Sequence, residues 1–226
     1  MKRVITALLA ALLALSLAAC GSGVETKKLA GTWTCTIDVT DRMNAAAEQA
    51  LGLSAADGAA KMPLQLVLTV TEDGAYTLRY DSDAVRTALD AYAAALHPAA
   101  VESVYAAAEE QGLSREEYDA AMEKAGITMD DMVAAIFAGV DEEELLSLLT
   151  GRSAAITGYC RAESGQLYLA DTAAELAETA DCLSYTLSDG TMTWTDAQGE
   201  LSSQLTEQEQ ELLRVPLTWT KQEESK

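Results

Sequence analysis

The 226-residue chain reads as mainly β with an α insertion: an eight-stranded up-and-down antiparallel barrel interrupted by a helical segment between strands 3 and 4. Three observations predict this. Short runs of period-two alternation recur along the chain, as half-buried strands require. Three of the connections between them are tight, glycine-bearing turns. The other four are long and alternate with the tight ones. In a meander, every second connection leaves the strands at the same end. The four long segments are therefore expected to gather at one mouth, with the tight turns closing the other.

The chain opens with Lys2 and Arg3, followed by an apolar run from Val4 to Ala19. A basic start, an apolar stretch and small residues before a cut mark a secretory signal. The run is shorter than the ~20 residues a membrane span needs. It ends Leu17-Ala18-Ala19-Cys20, which resembles the lipobox of bacterial lipoproteins. That resemblance implies that residues 1–19 are removed and that Cys20 carries a diacylglyceryl group. It also implies a protein held on the extracytoplasmic face of the cell membrane. Residues 20–29 then read as the lipidated cysteine and a short tether.

The first strand follows. Trp33, Cys35, Ile37 and Val39 alternate with Thr32, Thr34, Thr36 and Asp38, rich in β-branched and aromatic residues. Asp41 to Leu51 reads as a short helix. Leu64, Leu66, Leu68 and Val70 alternate before Glu72-Asp73-Gly74, and Tyr76, Leu78 and Tyr80 alternate after it, a hairpin signal. Strands 4 to 8 are expected at Ala155–Ala162, Gln166–Ala170, Cys182–Leu187, Thr191–Thr195 and Pro216–Lys221, with tight turns at Ser164-Gly165 and Asp189-Gly190. The barrel thus takes residues 30–82 and 152–222.

Residues 83–151 form the insertion. Leu89, Tyr92 and Leu96 share one helical face, as do Val101, Val104, Tyr105 and Ala108. His97-Pro98 is expected to break the two apart, because proline removes an interior helix donor. Ser114-Arg-Glu-Glu117 matches a capping box, and Gly126 a stop. A further helix carries Met132, Val133, Ile136 and Phe137. Asp141-Glu-Glu-Glu144, Thr172-Ala-Ala-Glu175 and Thr206-Glu-Gln-Glu209 also match caps. The insertion holds 15 acidic and 3 basic residues, within a chain of net charge −21. That sign argues against nucleic acid and against docking on anionic lipid through basic patches. It suits a solvated surface or a basic partner.

Gly31-Thr32-Trp33 at the head of strand 1 resembles the Gly-x-Trp signature of lipocalins and the wider calycin group, and the chain resembles small lipocalin-like lipoproteins of anaerobic gut bacteria. The resemblance implies extracytoplasmic binding of a small apolar molecule without catalysis. It also implies that Trp33 closes one end of the barrel under a late basic residue, Arg214 or Lys221. The helical insertion departs from the family pattern.

Other chemistry is hard to place. A single histidine, His97, excludes HExxH and leaves one imidazole for a hydrolase. There is no GxSxG, no phosphate-binding GxxxxGK[ST] and no EF-hand loop. Asp130-Asp131 and Asp141–Glu144 read as solvated helix caps. No cofactor is expected. Cys35, Cys160 and Cys182 have no metal spacing, and form either one disulfide plus a thiol or three buried thiols. The aromatics carry more. Trp33, Tyr76, Tyr80, Tyr185, Trp194 and Trp219 fall on the expected inner faces. They line a lipophilic pocket under an insertion acting as lid, or they fill an interior only just wide enough for side chains or one small ligand. The first reading, with Trp33, Tyr76, Tyr80, Trp194 and Trp219 as binding residues, makes the protein a carrier or sensor. The second makes it an envelope interaction module docking a protein partner through its acidic helices.

Overall fold

The computed structural model describes residues 24–53, 61–137, 155–178, 182–198 and 213–223. The signal segment with Cys20, and the caps expected at Asp141 and Thr206, lie outside them. Eight antiparallel strands close into a barrel in sequence order: β1 (Gly31–Asp38), β2 (Pro63–Val70), β3 (Ala75–Tyr80), β4 (Ile156–Glu163), β5 (Gln166–Ala170), β6 (Cys182–Ser188), β7 (Thr191–Gln198) and β8 (Leu217–Lys221). The last strand closes on the first through Trp33 opposite Lys221 and Thr34 opposite Thr220. Among the described residues no sheet edge is left to template further pairing.

The tight turns form where expected. Ser164 and Gly165, and Asp189 and Gly190, both take positive φ, the backbone that matches strand twist in two-residue hairpins. One strand runs further than the alternation suggests. Ser184 pairs with Asp196 and Tyr185 with Trp194, so Thr195 is an extra residue in β7. This bulge interrupts the alternation of β7, which continues to Gln198.

Six helices are described: α1 (24–29), α2 (Thr40–Leu51), α3 (Ser82–Glu110), α4 (Arg115–Ala125), α5 (Met129–Phe137) and α6 (Ala173–Leu176). The capping boxes at Ser114 and Thr172 are complete, and Gly126 ends α4 in the left-handed conformation. The break expected at His97-Pro98 does not occur. Pro98 lies inside one continuous 29-residue helix, α3. Interior proline costs about 3 kcal/mol, but the buried stripe Val85, Ala88, Tyr92, Leu96 and Ala100 passes straight through it. Packing on both sides of the proline outweighs the lost donor. Tether residues also acquire structure: α1 buries Thr26 and Leu29.

The described residues fall into two compact units. One lies within residues 1–35, 66–80 and 154–226, and the other within 36–65 and 81–153. The second unit joins α2 to the insertion helices. The Tyr92 hydroxyl of α3 donates to Asn44 Oδ1 of α2 at 2.6 Å. The chain between them is held by Val39 N–H on the Met62 carbonyl and by Met62 N–H on Thr40 Oγ1, both 2.9 Å. Arg115 of α4 reaches back to Glu102 and Glu109 of α3 and lies 4.7 Å from the Tyr105 ring centroid.

Candidate functional site in the barrel interior

The first unit holds every aromatic residue expected to line the barrel. Its closed end is built around Trp33, which is fully buried. The indole Nε1 donates to the Leu29 carbonyl of α1 at 2.7 Å. Lys221 lies across the ring, its Nζ 5.3 Å from the centroid. Lys221, not the exposed Arg214, is therefore the basic residue on Trp33. The crossing explains Gly31: its φ is +126°, and a Cβ there would stand 2.8 Å from Lys221 Cε.

Strand lengths explain how α1 docks. β4 outruns β3, whose last ladder bond on this side is Cys160 N–H to the Gly74 carbonyl at 2.7 Å. The next donor on that side, Ala162 N–H, would be orphaned in the interior. Thr26 of α1 accepts it at 3.0 Å. Thr26 and Leu29, three residues apart, share a helical face, and that spacing is the one sequence signal for this helix. Glu25 comes along, with Oε2 buried and without a donor among the described residues. Burial, then the nearby Glu25 and Cys160, hold the Tyr185 hydroxyl above its ordinary range.

Above the closed end the rings are placed by register. Met192 pairs with Trp219, and Trp194 pairs with Leu217 on one side and Tyr185 on the other. Trp194 is in phase with buried Met192 two residues before it, on the regular stretch of β7 ahead of the bulge. Trp194 and Trp219 are 5% and 0% exposed, and their centroids stand 4.8 Å apart at a tilt of 47°. Both indole N–H groups are buried without an acceptor among the described residues. Tyr76 lines the β3 wall, crossing Gly158, where a Cβ would meet the Ala170 carbonyl and the Tyr76 ring. Tyr80, opposite Leu66, is half-buried. No protein-family model, curated protein or solved structure matches the chain.

Cys35, Cys160 and Cys182 are three free, buried thiols. Burial pushes Cys35 up to about 11 and Cys160 to about 12. Thiols held in the neutral form are poor nucleophiles and poor ligands. Among the described residues no group of three or more His, Cys, Asp and Glu side chains gathers to hold a metal. His97 Nε2 meets Asp130 Oδ1 at 3.1 Å between exposed side chains of α3 and α5. That is a surface pair.

Proposed function

We propose that the protein is a lipid-anchored extracytoplasmic lipoprotein that binds a small apolar ligand, without catalysis, in a lipocalin-like barrel. One observation carries the reading: a closed antiparallel barrel, shut at one end by α1, Trp33 and Lys221, whose inner faces present Trp194, Trp219, Tyr76, Tyr185 and aliphatic side chains. Such a lining is apolar with a few polar tips, the composition of small-molecule sites. The anchor rests on Leu17-Ala18-Ala19-Cys20. The Gly31-Thr32-Trp33 motif supports the family likeness.

The test is tryptophan fluorescence of residues 21–226, titrated with fatty acids, alkanes, ketones and sterols. All three tryptophans sit in the barrel wall, so each reports on its filling. A saturable shift with one class is expected. A flat response from a folded sample would overturn the reading. Mass spectrometry of the mature chain should find the diacylglyceryl group on Cys20 and lose it in Cys20→Ala.

A second reading is favoured by α4, which buries none of its residues and is flanked by exposed Leu113 and Ile127 in acidic surroundings. There the insertion docks a basic envelope protein. It predicts a flat ligand response together with salt-sensitive cross-linking to one protein, lost in Glu116→Lys/Glu123→Lys.

A further inference from the structure

We infer that Trp194 and Trp219 form a two-donor polar anchor in the barrel, and that the ligand is a neutral lipophile bearing a carbonyl oxygen that accepts from them. This rests on the apolar-ligand reading above and narrows its chemistry. The argument begins with indole, which donates one N–H and accepts nothing. Buried donors without an acceptor are rare in native proteins, and each one calls for an explanation. Here two occur on rings in mutual contact, 4.8 Å between centroids, both more than nine-tenths buried.

Trp33 is the internal contrast. Its N–H, in the same barrel, is taken by the Leu29 carbonyl at 2.7 Å. The tryptophan that closes the end is satisfied by the fold, and the two further in are not. The side chains of their register neighbours on β7 and β8, Met192 and Leu217, carry no oxygen, and the hydroxyl of Tyr185, the neighbour of Trp194 on β6, accepts from neither indole. A ligand oxygen lying within reach of both N–H groups would answer both donors, because a carbonyl has two lone pairs.

Charge fixes the class. A buried carboxylate needs a buried cation or several donors. Among the described residues the one cationic side chain at an inward register position is Lys221, which is exposed at the closed end and covers Trp33. The chain as a whole carries −21. A ketone, an ester or an aldehyde brings the same acceptor without the charge.

The experiment compares 2-decanone, decane and decanoate on residues 21–226. Binding is followed by fluorescence, and the indole N–H resonances are followed by NMR of tryptophan-labelled protein. A neutral hydrogen bond is worth about 1 kcal/mol, so 2-decanone is expected to bind roughly five- to tenfold more tightly than decane. It should shift two indole N–H resonances downfield and leave that of Trp33 in place. In Trp219→Phe and Trp194→Phe the preference for ketone over alkane should fall toward one. Equal binding of ketone and alkane, or three unmoved indole resonances, overturns the anchor and leaves the apolar-ligand reading standing. Tighter binding of decanoate than of 2-decanone overturns the neutral class. Binding of none of the three overturns both. The resonance shifts are read on the unsubstituted protein, so a variant that fails to fold does not remove the test.

Discussion

Thr26→Val should separate a structural α1 from a passive tether. Valine keeps the shape of threonine and removes only the hydroxyl. Ala162 N–H, 3.0 Å from that hydroxyl, would then be buried with no acceptor, because β3 has already turned away at Gly74. Leaving a buried donor unsatisfied costs about 1–3 kcal/mol. For a domain of this size each kcal/mol lowers Tm by roughly 2–4 °C, so a drop of roughly 2–12 °C is expected. Thr26→Ser, which keeps the oxygen, should fall by less. Urea unfolding gives the free energy, and hydrogen exchange at Ala162 reads the bond itself: the amide should be protected in the parent and lose protection in Thr26→Val. A Thr26→Val protein within about 0.5 kcal/mol of the parent, with Ala162 equally protected, would refute the docking of α1 on the barrel.

Other outcomes follow from the same geometry. Gly31→Ala places a Cβ at positive φ against Lys221, and should cost about 1–2 kcal/mol by chemical denaturation. Adding Lys221→Ala should recover only the part due to the clash. Pro98→Ala restores an interior donor to α3 and should stabilise the protein by about 1–3 kcal/mol; an unchanged midpoint would mean the helix has adjusted fully around the proline. Gly158→Ala drives a methyl into the Ala170 carbonyl and the Tyr76 ring, and should destabilise by about 1–3 kcal/mol in thermal unfolding. The buried thiols set an alkaline limit. The unfolded chain loses thiol protons from about pH 9.0, while Cys35 and Cys160 keep theirs to about 11 and 12. Above pH 9 the unfolded state binds fewer protons, so stability falls with rising pH through that window. Cys35→Ala/Cys160→Ala should flatten that slope, and a disulfide-based thiol reagent should label neither cysteine before unfolding.

What the sequence made legible was whatever is local and periodic. Alternation at Leu64–Val70 and Tyr76–Tyr80, the two-residue turns and the boxes at Ser114 and Thr172 are each decided by neighbours a few positions away. Pro98 was misread because the local rule is true and loses to tertiary packing along Val85–Ala100. The end of β7 was missed because the bulge at Thr195 erases the period on which strand detection depends. At the site, the inward aromatics were readable, but the state of their N–H groups was not. Whether an indole finds an acceptor depends on Leu29 lying over Trp33 and on nothing comparable among the described residues lying over Trp194 or Trp219. The choice of Lys221 over Arg214 likewise needed the register of β8 on β1.

The pairing of the last strand with the first has a consequence for how the protein is made. Gln222 and Thr34, bonded across that seam, are 188 residues apart. Closing a loop of that length costs roughly 3 kcal/mol more in chain entropy than closing a four-residue hairpin. The hairpins can form as the chain emerges, but the seam waits for Leu217–Lys221. Until then β1 and β7 are open edges with aromatic faces, the state in which strands pair with the wrong neighbour. A chain emerging from its N-terminus would therefore be most vulnerable to aggregation just before Leu217–Lys221 arrives. Truncation ahead of Leu217 should yield a protein that forms its turns and fails to stay monomeric.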